Sequence, residues 1–218
     1  MALPEITGVM QDYLKAIFKL QQRRGFASTS DVAARMRVSP ASATSMIKRL
    51  ARQRLVVHRP YHGLVLSPAG ERIALETIRH HRLLELYLAR HLGVSLDRVD
   101  GEAERLEHVL SDDVEARIAA TLGEPTRDPH GDPIPGKDGT VRDVQYPTLA
   151  HVPVGEAGIV DRLSDRSPNI VRRLALLGVL PGVPVRVLAR LSGRRLRVAC
   201  GEKTHVLPRD LAEGVYVR

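Results

Sequence analysis

Residues 28–66, STSDVAARMRVSPASATSMIKRLARQRLVVHRPYHGLVL, decide how this chain is read. Ser28, Thr29 and Ser30 offer N-caps to a short helix over 31–36, which must stop before Ser39-Pro40 because a residue preceding proline avoids the α region. A new helix is expected over 41–53, small and polar at its start and basic further on. Two helices joined by a tight turn match a helix-turn-helix. Leu55-Val56-Val57 and Leu64-Val65-Leu66 then flank Pro60-Tyr61-His62-Gly63, which reads as a β-hairpin with Arg59, Tyr61 and His62 near its tip. Upstream, Ile6, Val9, Met10, Tyr13, Leu14, Ile17 and Phe18 recur at helical spacing, predicting an amphipathic helix over 4–24 ended by Gly25, with Asp12 at the edge of the apolar stripe. Three helices followed by a hairpin is the winged-helix order.

Outward from that segment, Ser67-Pro68 is a cap followed by proline at the first helical position, and the helix should run to Gly93. A second helical stretch, 95–122, is expected to break near Gly101 and Ser111. The stretch 124–149 is rich in Pro, Gly and Asp and reads as a linker. Short β-type runs at 158–163, 183–191, 195–200 and 215–217 surround one helical piece, 169–177, as in a small β-barrel. The expected class is therefore mainly α with a small β part. The expected divisions are a winged helix-turn-helix over 1–70, a helical domain over 71–123, a linker over 124–149 and a β domain over 150–218.

The net charge of +8 is unevenly spread: residues 1–70 carry +8, 71–150 carry −6 and 151–218 carry +6. A basic first third suits a polyanion and an acidic middle suits cations. No apolar run approaches the roughly 20 residues a membrane helix needs. The first residues lack the layout of a signal peptide, and Cys200 is the sole cysteine. A cytoplasmic protein without disulfides is the expectation.

The acidic middle carries metal-type ligands. His81 and Glu85 are four apart and share a helix face; Glu104, Glu107 and His108 share another. Antiparallel packing would join the two sets, and the first helix could add Asp12. Carboxylates and imidazoles without thiolate favour six-coordinate Mn²⁺ or Fe²⁺ over tetrahedral Zn²⁺. The plainer alternative is solvated helix faces whose acids pair with Arg82, Arg105 or Arg117. A metallohydrolase is a further alternative, against which stand the lack of HExxH, P-loop and nucleophile-elbow motifs and the coupling to a helix-turn-helix. A metal-independent DNA-binding protein, its acidic helices serving only as a dimer interface, is another.

The order winged helix, RHHRLLE, GEAERLEHVLSDDVE, DPHGDPIPG and small β domain resembles the diphtheria toxin repressor family of metal-dependent bacterial repressors, and within it the manganese-responsive members. The resemblance spans essentially the whole chain. It implies a manganese-dependent DNA-binding transcriptional repressor, with iron the alternative signal, that controls metal homeostasis and is not an enzyme. Mn²⁺ would be the corepressor, Fe²⁺ the alternative ion, with other divalent metals able to substitute in vitro.

The implied primary site is Asp12, Glu104, Glu107 and His108. Iron-responsive members carry methionine and cysteine at the first two positions, and replacing sulfur by carboxylate agrees with a harder ion. The implied ancillary site is His81, Glu85 and Asp100, the last in place of a histidine. The β domain would add to it at Arg162 and Asp165; arginine cannot ligate, which leaves Asp165, or Asp161 by a slipped register. Short manganese regulators carry a glutamate one turn after the position of Asp12, where this chain has Lys15, a departure from their two-ion arrangement. His80 and His205 are read as supporting or surface residues. The β domain resembles the SH3-like domain of iron-transport accessory proteins (FeoA-like).

The resemblance further implies a homodimer held by apolar surface of the 71–122 helices and meeting near-palindromic double-stranded operator DNA. Ser39, Ala41, Ser42 and Ser45 are placed to reach base edges, and Arg37, Lys48, Arg49, Arg52, Arg59, Tyr61 and His62 to contact phosphates. Side chains this short leave much of the specificity to DNA shape.

Overall fold

The computed structural model describes residues 6–59, 63–142, 144–165 and 167–218, without the side chains of Arg23 and Arg59. These residues form two compact units, one of the described residues up to His80 with 107–109 and 135–140, and one of 81–106, 110–134 and the described residues from 141 on.

In the first unit, helix α1 (Gly8–Arg24) buries Met10, Tyr13, Leu14, Ile17 and Phe18. Gly25 stops it in the left-handed region at φ 77°, its N–H donating to the Gln21 carbonyl. Helices α2 (Thr29–Met36) and α3 (Pro40–Arg52) are capped by Ser28 and Ser39, whose hydroxyls accept from the Asp31 and Ser42 amides. Strands β1 (Val56–Arg59) and β2 (Gly63–Leu66) pair antiparallel. The Gln21 side-chain carbonyl of α1 accepts from Leu66 N at 3.0 Å. α1 therefore packs against both α2 and the hairpin. The expected tip residues Tyr61 and His62 lie outside the described residues.

Helix α4 (Pro68–Leu92) contributes to the first unit up to His80 and to the second from His81. In the second unit, α5 (Val99–Leu106) and α6 (Asp112–Thr121) pack with α4 around Leu83, Leu84, Leu86, Ala103, Ile118 and Ala119. The expected break at Gly101 does not occur: that glycine sits in the first turn of α5. The break falls at a 3₁₀ turn, Glu107–Val109, after which Ser111 caps α6.

The C-terminal part is a five-stranded antiparallel sheet in the order β6-β5-β4-β3-β7, from strands β3 (Ala157–Leu163), β4 (Pro184–Leu191), β5 (Arg195–Cys200), β6 (Lys203–Pro208) and β7 (Val215–Val217). Helices α7 (Pro168–Leu176) and α8 (Arg209–Glu213) help bury Leu163, Leu174, Val187, Val198, Leu207 and Leu211. Burial pushes the Cys200 thiol up, which keeps it unreactive. No described helix is long and apolar enough to cross a membrane.

Candidate metal centre and DNA-binding face

Two groups of metal-type donors can be described, one in each unit. In the first unit, α1 brings Asp12 to the 3₁₀ turn that carries Glu107 and His108, and these three offer ligand atoms within 4.8 Å of one another. His108 Nε2 lies 3.0 Å from Asp12 Oδ1 and 3.6 Å from Glu107 Oε1. The helix that supplies Asp12 is held by its buried stripe, and the change from α-helix to 3₁₀ turn lets two consecutive residues, Glu107 and His108, face one place. Glu107 is 1% exposed. A carboxylate taken this far out of water requires a cation, and Lys15 Nζ is 2.6 Å from its Oε1.

Sequence reasoning did not single out Gln11 or Gly8. The Gln11 side-chain carbonyl lies 2.6 Å from His108 Nδ1, so that nitrogen donates and Nε2 is the ring nitrogen turned toward Asp12. A Cβ at Gly8 would stand 3.0 Å from the His108 ring. Only glycine leaves the imidazole in this position without a shift. Gln11→Leu removes the acceptor that fixes the tautomer, and divalent-ion affinity measured by calorimetry should fall about tenfold with little change in helix content. Unchanged affinity would show that the ring is oriented by packing alone.

Glu104 belongs to the second unit, where its carboxylate lies 3.7 Å from His81 Nδ1. His81, Glu85 and Asp100 converge there, with His81 Nε2 at 3.2 Å from Asp100 and 3.7 Å from Glu85. Glu85 also joins a second trio, Glu85, Asp128 and His130, all buried. The DPHGDPIPG stretch that reads as a linker is thus packed inward, and no periodic pattern marks its two donors. Gly131, at φ 93°, lets the turn approach β3, since a Cβ there would collide with the Asp161 carbonyl.

The electrostatics of this trio are those of a site short of positive charge. Burial raises the Asp128 pKa well above the carboxylate range, and Glu85 and Asp132 add to the rise against Arg82 and His130. Burial alone would lower His130, but its hydrogen bond to Glu85 and the charges of Glu85 and Asp128 outweigh it and hold the imidazole at about 9. His130 Nδ1 is 3.3 Å from Glu85 Oε1, and His130 Nε2 is 3.0 Å from the Leu96 carbonyl.

Among the described residues, the β domain adds no donor to these trios. Asp161 faces Arg127 at 3.1 Å and Arg218 at 3.6 Å. Arg162 lies 3.4 Å from Asp132 and over the Tyr216 ring, and Asp165 belongs to none of the donor clusters found among the described residues. Cys200 supplies no thiolate to either group, so both offer only oxygen and nitrogen. Two buried acids with an imidazole, at ligand spacing, fit a divalent cation.

The DNA-type face is helix α3. Its buried side is Ala43, Ile47 and Leu50. Ala41, Ser42, Ser45, Lys48, Arg49 and Arg52 are exposed on it, with Arg37 and Ser39 exposed in the turn before it. Arg37 takes the left-handed conformation, φ 54°, that closes the turn between α2 and α3.

Each part of the chain is similar to known proteins. Residues 5–64 match the family model described as iron dependent repressor, N-terminal DNA binding domain. Residues 67–136 match iron dependent repressor, metal binding and dimerisation domain, and 148–218 match the FeoA domain. The chain is 28% identical over 225 residues to the iron-dependent repressor IdeR of Mycobacterium leprae, covering 98% of each. It is 38% identical over 105 residues to the transcriptional regulator MntR of Geobacillus kaustophilus, covering 48% of this chain and 74% of that one. Among solved structures, a manganese-dependent transcriptional repressor in complex with manganese is similar at a TM-score of 0.86 and 40% identity, over 95% of this chain and 98% of that one. With a helix-turn-helix, metal-type donors and a C-terminal FeoA-like β domain on one chain, this protein belongs to the diphtheria toxin repressor family of iron- and manganese-dependent regulators, which are metal-dependent DNA-binding transcriptional repressors of metal homeostasis and not enzymes.

Proposed function

We propose that the chain is a manganese-responsive repressor in which Asp12, Glu107 and His108 hold the activating ion. The observation that carries this reading is the position of Asp12: it sits on α1, the helix packed on the helix-turn-helix, with its carboxylate 3.0 Å from His108. The bound ion would supply a positive charge that neutralises the two carboxylates and ties α1 to the 3₁₀ turn. Asp12 then acts as the link between metal occupancy and the recognition helix, Gln11 orients His108, and Glu107 anchors the cluster from inside. Carboxylate and imidazole donors favour Mn²⁺, with Fe²⁺ the nearest competitor. His81, Glu85 and Asp100, together with Asp128 and His130, form the candidate second centre.

The working form is a homodimer on near-palindromic operator DNA, each α3 entering a major groove by its N-terminal turn. Ser39, Ala41, Ser42 and Ser45 face bases, and Arg37, Lys48, Arg49 and Arg52 face phosphates. Holding the spacing of two such helices is what metal would control.

The test is fluorescence anisotropy of a promoter fragment titrated with chelated protein at fixed salt, without metal and with Mn²⁺, Fe²⁺ or Zn²⁺. Specific binding that requires Mn²⁺ is the expected result. Tight specific binding in chelator would overturn the switch, and binding with Fe²⁺ alone would overturn the choice of ion. The Mn²⁺-dependent affinity should also fall steeply between about 50 and 200 mM salt, as phosphate contacts demand.

A further inference from the structure

Residues 184–209, which form β4, β5 and β6 with their turns, hold seven Lys and Arg against one acid, Glu202. The +6 of the last third of the chain is therefore concentrated in this one stretch of sheet. Strand alternation sorts its residues by face. Val185, Val187, Leu196 and Val198 are buried in the core, so Arg186, Arg195 and Arg197 stand on the outer face. The register sets Arg186 opposite Ala199, Ala199 opposite Thr204, and Arg197 opposite Val206. The neighbours across the strands are thus short or apolar, and none is acidic. Exposed arginines elsewhere in the chain have acids: Arg117 lies 2.9 Å from Asp113, Arg105 3.1 Å from Glu102 and Arg209 2.6 Å from Glu213. Arg190, on the same strand as Arg186, donates to the Ala150 and Val152 carbonyls. Among the described residues no carboxylate pairs with Arg186, Arg195 or Arg197. Like charges gathered on one face of a sheet repel, and the free protein bears that cost. A polyanion laid on the face would remove it.

We propose that the outer face of β4, β5 and β6 is a second DNA contact, in which Arg186 and Arg197, with Arg195 beside them, hold phosphates of duplex DNA. DNA is the occupant that the charge and the rest of the chain favour. A guanidinium is weakly hydrated and meets a phosphate through two parallel N–H···O bonds, so arginine suits this task better than lysine. The chain carries a DNA-binding domain at its N-terminal end. Once that domain is engaged, a weak second contact on the same chain acts at high effective concentration and adds to affinity. Ala199, Thr204 and Val206 between the arginines are small, which leaves the positive charges as what a partner meets. Such a contact carries no sequence information: it strengthens binding to any duplex and leaves the choice of operator to α3. It is also independent of the metal reading, since phosphates are the same in every duplex.

The experiment follows the full chain by anisotropy on two labelled probes across a salt series: a duplex of random sequence in chelator, and a promoter fragment with Mn²⁺. Wild type is compared with Arg186→Ala, Arg197→Ala, the double alanine variant, the double Arg186→Lys and Arg197→Lys variant, and Arg209→Ala. These side chains lie at the surface, so the variants should stay folded, which circular dichroism verifies. The slope of log affinity against log salt should become shallower by about one for each single alanine variant and by about two for the double. Affinity for promoter and random duplex should fall by the same factor. The double lysine variant should keep the wild-type slope, and so should Arg209→Ala, whose charge is already compensated by Glu213. An unchanged slope in the double alanine variant would overturn the contact. An equal fall with Arg209→Ala would overturn it too, because the total charge of the β domain would then be at work and not this face. Unchanged DNA binding with loss of self-association in sedimentation would overturn it in favour of an acidic surface on a second copy. The random-duplex result stands whether or not promoter binding requires Mn²⁺, so the two readings fail separately.

Discussion

Asp12→Ala is expected to abolish the Mn²⁺ response of operator binding while leaving the DNA-binding unit folded. The side chain is 24% exposed and stands at the edge of the buried stripe of α1, whose packing is carried by Tyr13, Leu14 and Ile17. Alanine is a better helix former than aspartate, so the change should cost the fold no more than about 0.5 kcal/mol. The site loses one of its two carboxylates, and the one placed on the helix that packs on the helix-turn-helix. Removing a partner in the layer behind a metal ligand costs roughly 10–100-fold in affinity, and removing a ligand should cost more. The measurement is the Mn²⁺ concentration at half-maximal anisotropy change, which should rise by over about a hundredfold or become unmeasurable. Weak, salt-sensitive binding to any duplex should persist, because Lys48, Arg49 and Arg52 remain exposed on α3. A variant that keeps the wild-type Mn²⁺ midpoint would remove Asp12 from the ligand set.

The contrast between what could be read from the sequence and what could not follows signal type. The helix-turn-helix was legible because its stops are local: Gly25 ends α1, Ser28 and Ser39 cap α2 and α3, and Pro40 opens α3. The hairpin register follows from two short apolar runs. Strand β6 was missed because Lys203, Thr204 and His205 interrupt its pattern at a sheet edge, where one side of the backbone has no neighbouring strand. Residues 124–149 looked like a linker because Pro and Gly dominate, yet Asp128, His130 and Ile134 are buried. Irregular backbone can be packed as tightly as a helix when its own side chains satisfy its amides, as Asp128 does for His130 N and Asp132 N. Helical spacing marked Glu104 as a donor, and its carboxylate lies 3.7 Å from His81 Nδ1. Gln11 carried no sequence signal, since an amide beside a carboxylate on a helix is unremarkable until the histidine it orients is in place.

Glu85→Ala is expected to produce the largest loss of stability, and a loss whose size depends on pH. Glu85 is 2% exposed, with Oε1 3.3 Å from His130 Nδ1 and 3.7 Å from His81 Nε2. Removing it leaves a 1% exposed imidazole without the anion that keeps it protonated, and burial then favours the neutral ring. The folded-state pKa of His130, about 9, lies above the ordinary value of 6.5 that holds in the unfolded chain. The stabilisation is therefore fully present below pH 6.5 and is lost as pH rises through about 9; its full size is on the order of 3 kcal/mol. Urea unfolding in chelator should show a wide gap between wild type and Glu85→Ala at pH 6 that closes by about pH 9. Metal acts in the opposite sense, because an ion bound by His130 must displace the same proton, so its affinity should rise about tenfold per pH unit across that window. The Mn²⁺-induced stabilisation of wild type should accordingly grow from pH 6.5 to 9, just where the chelated protein loses the support of the Glu85 and His130 pair. A stability gap that does not change with pH would show that Glu85 contributes by packing and not by holding the His130 proton, and would leave the inner trio without its electrostatic rationale for taking up a metal ion.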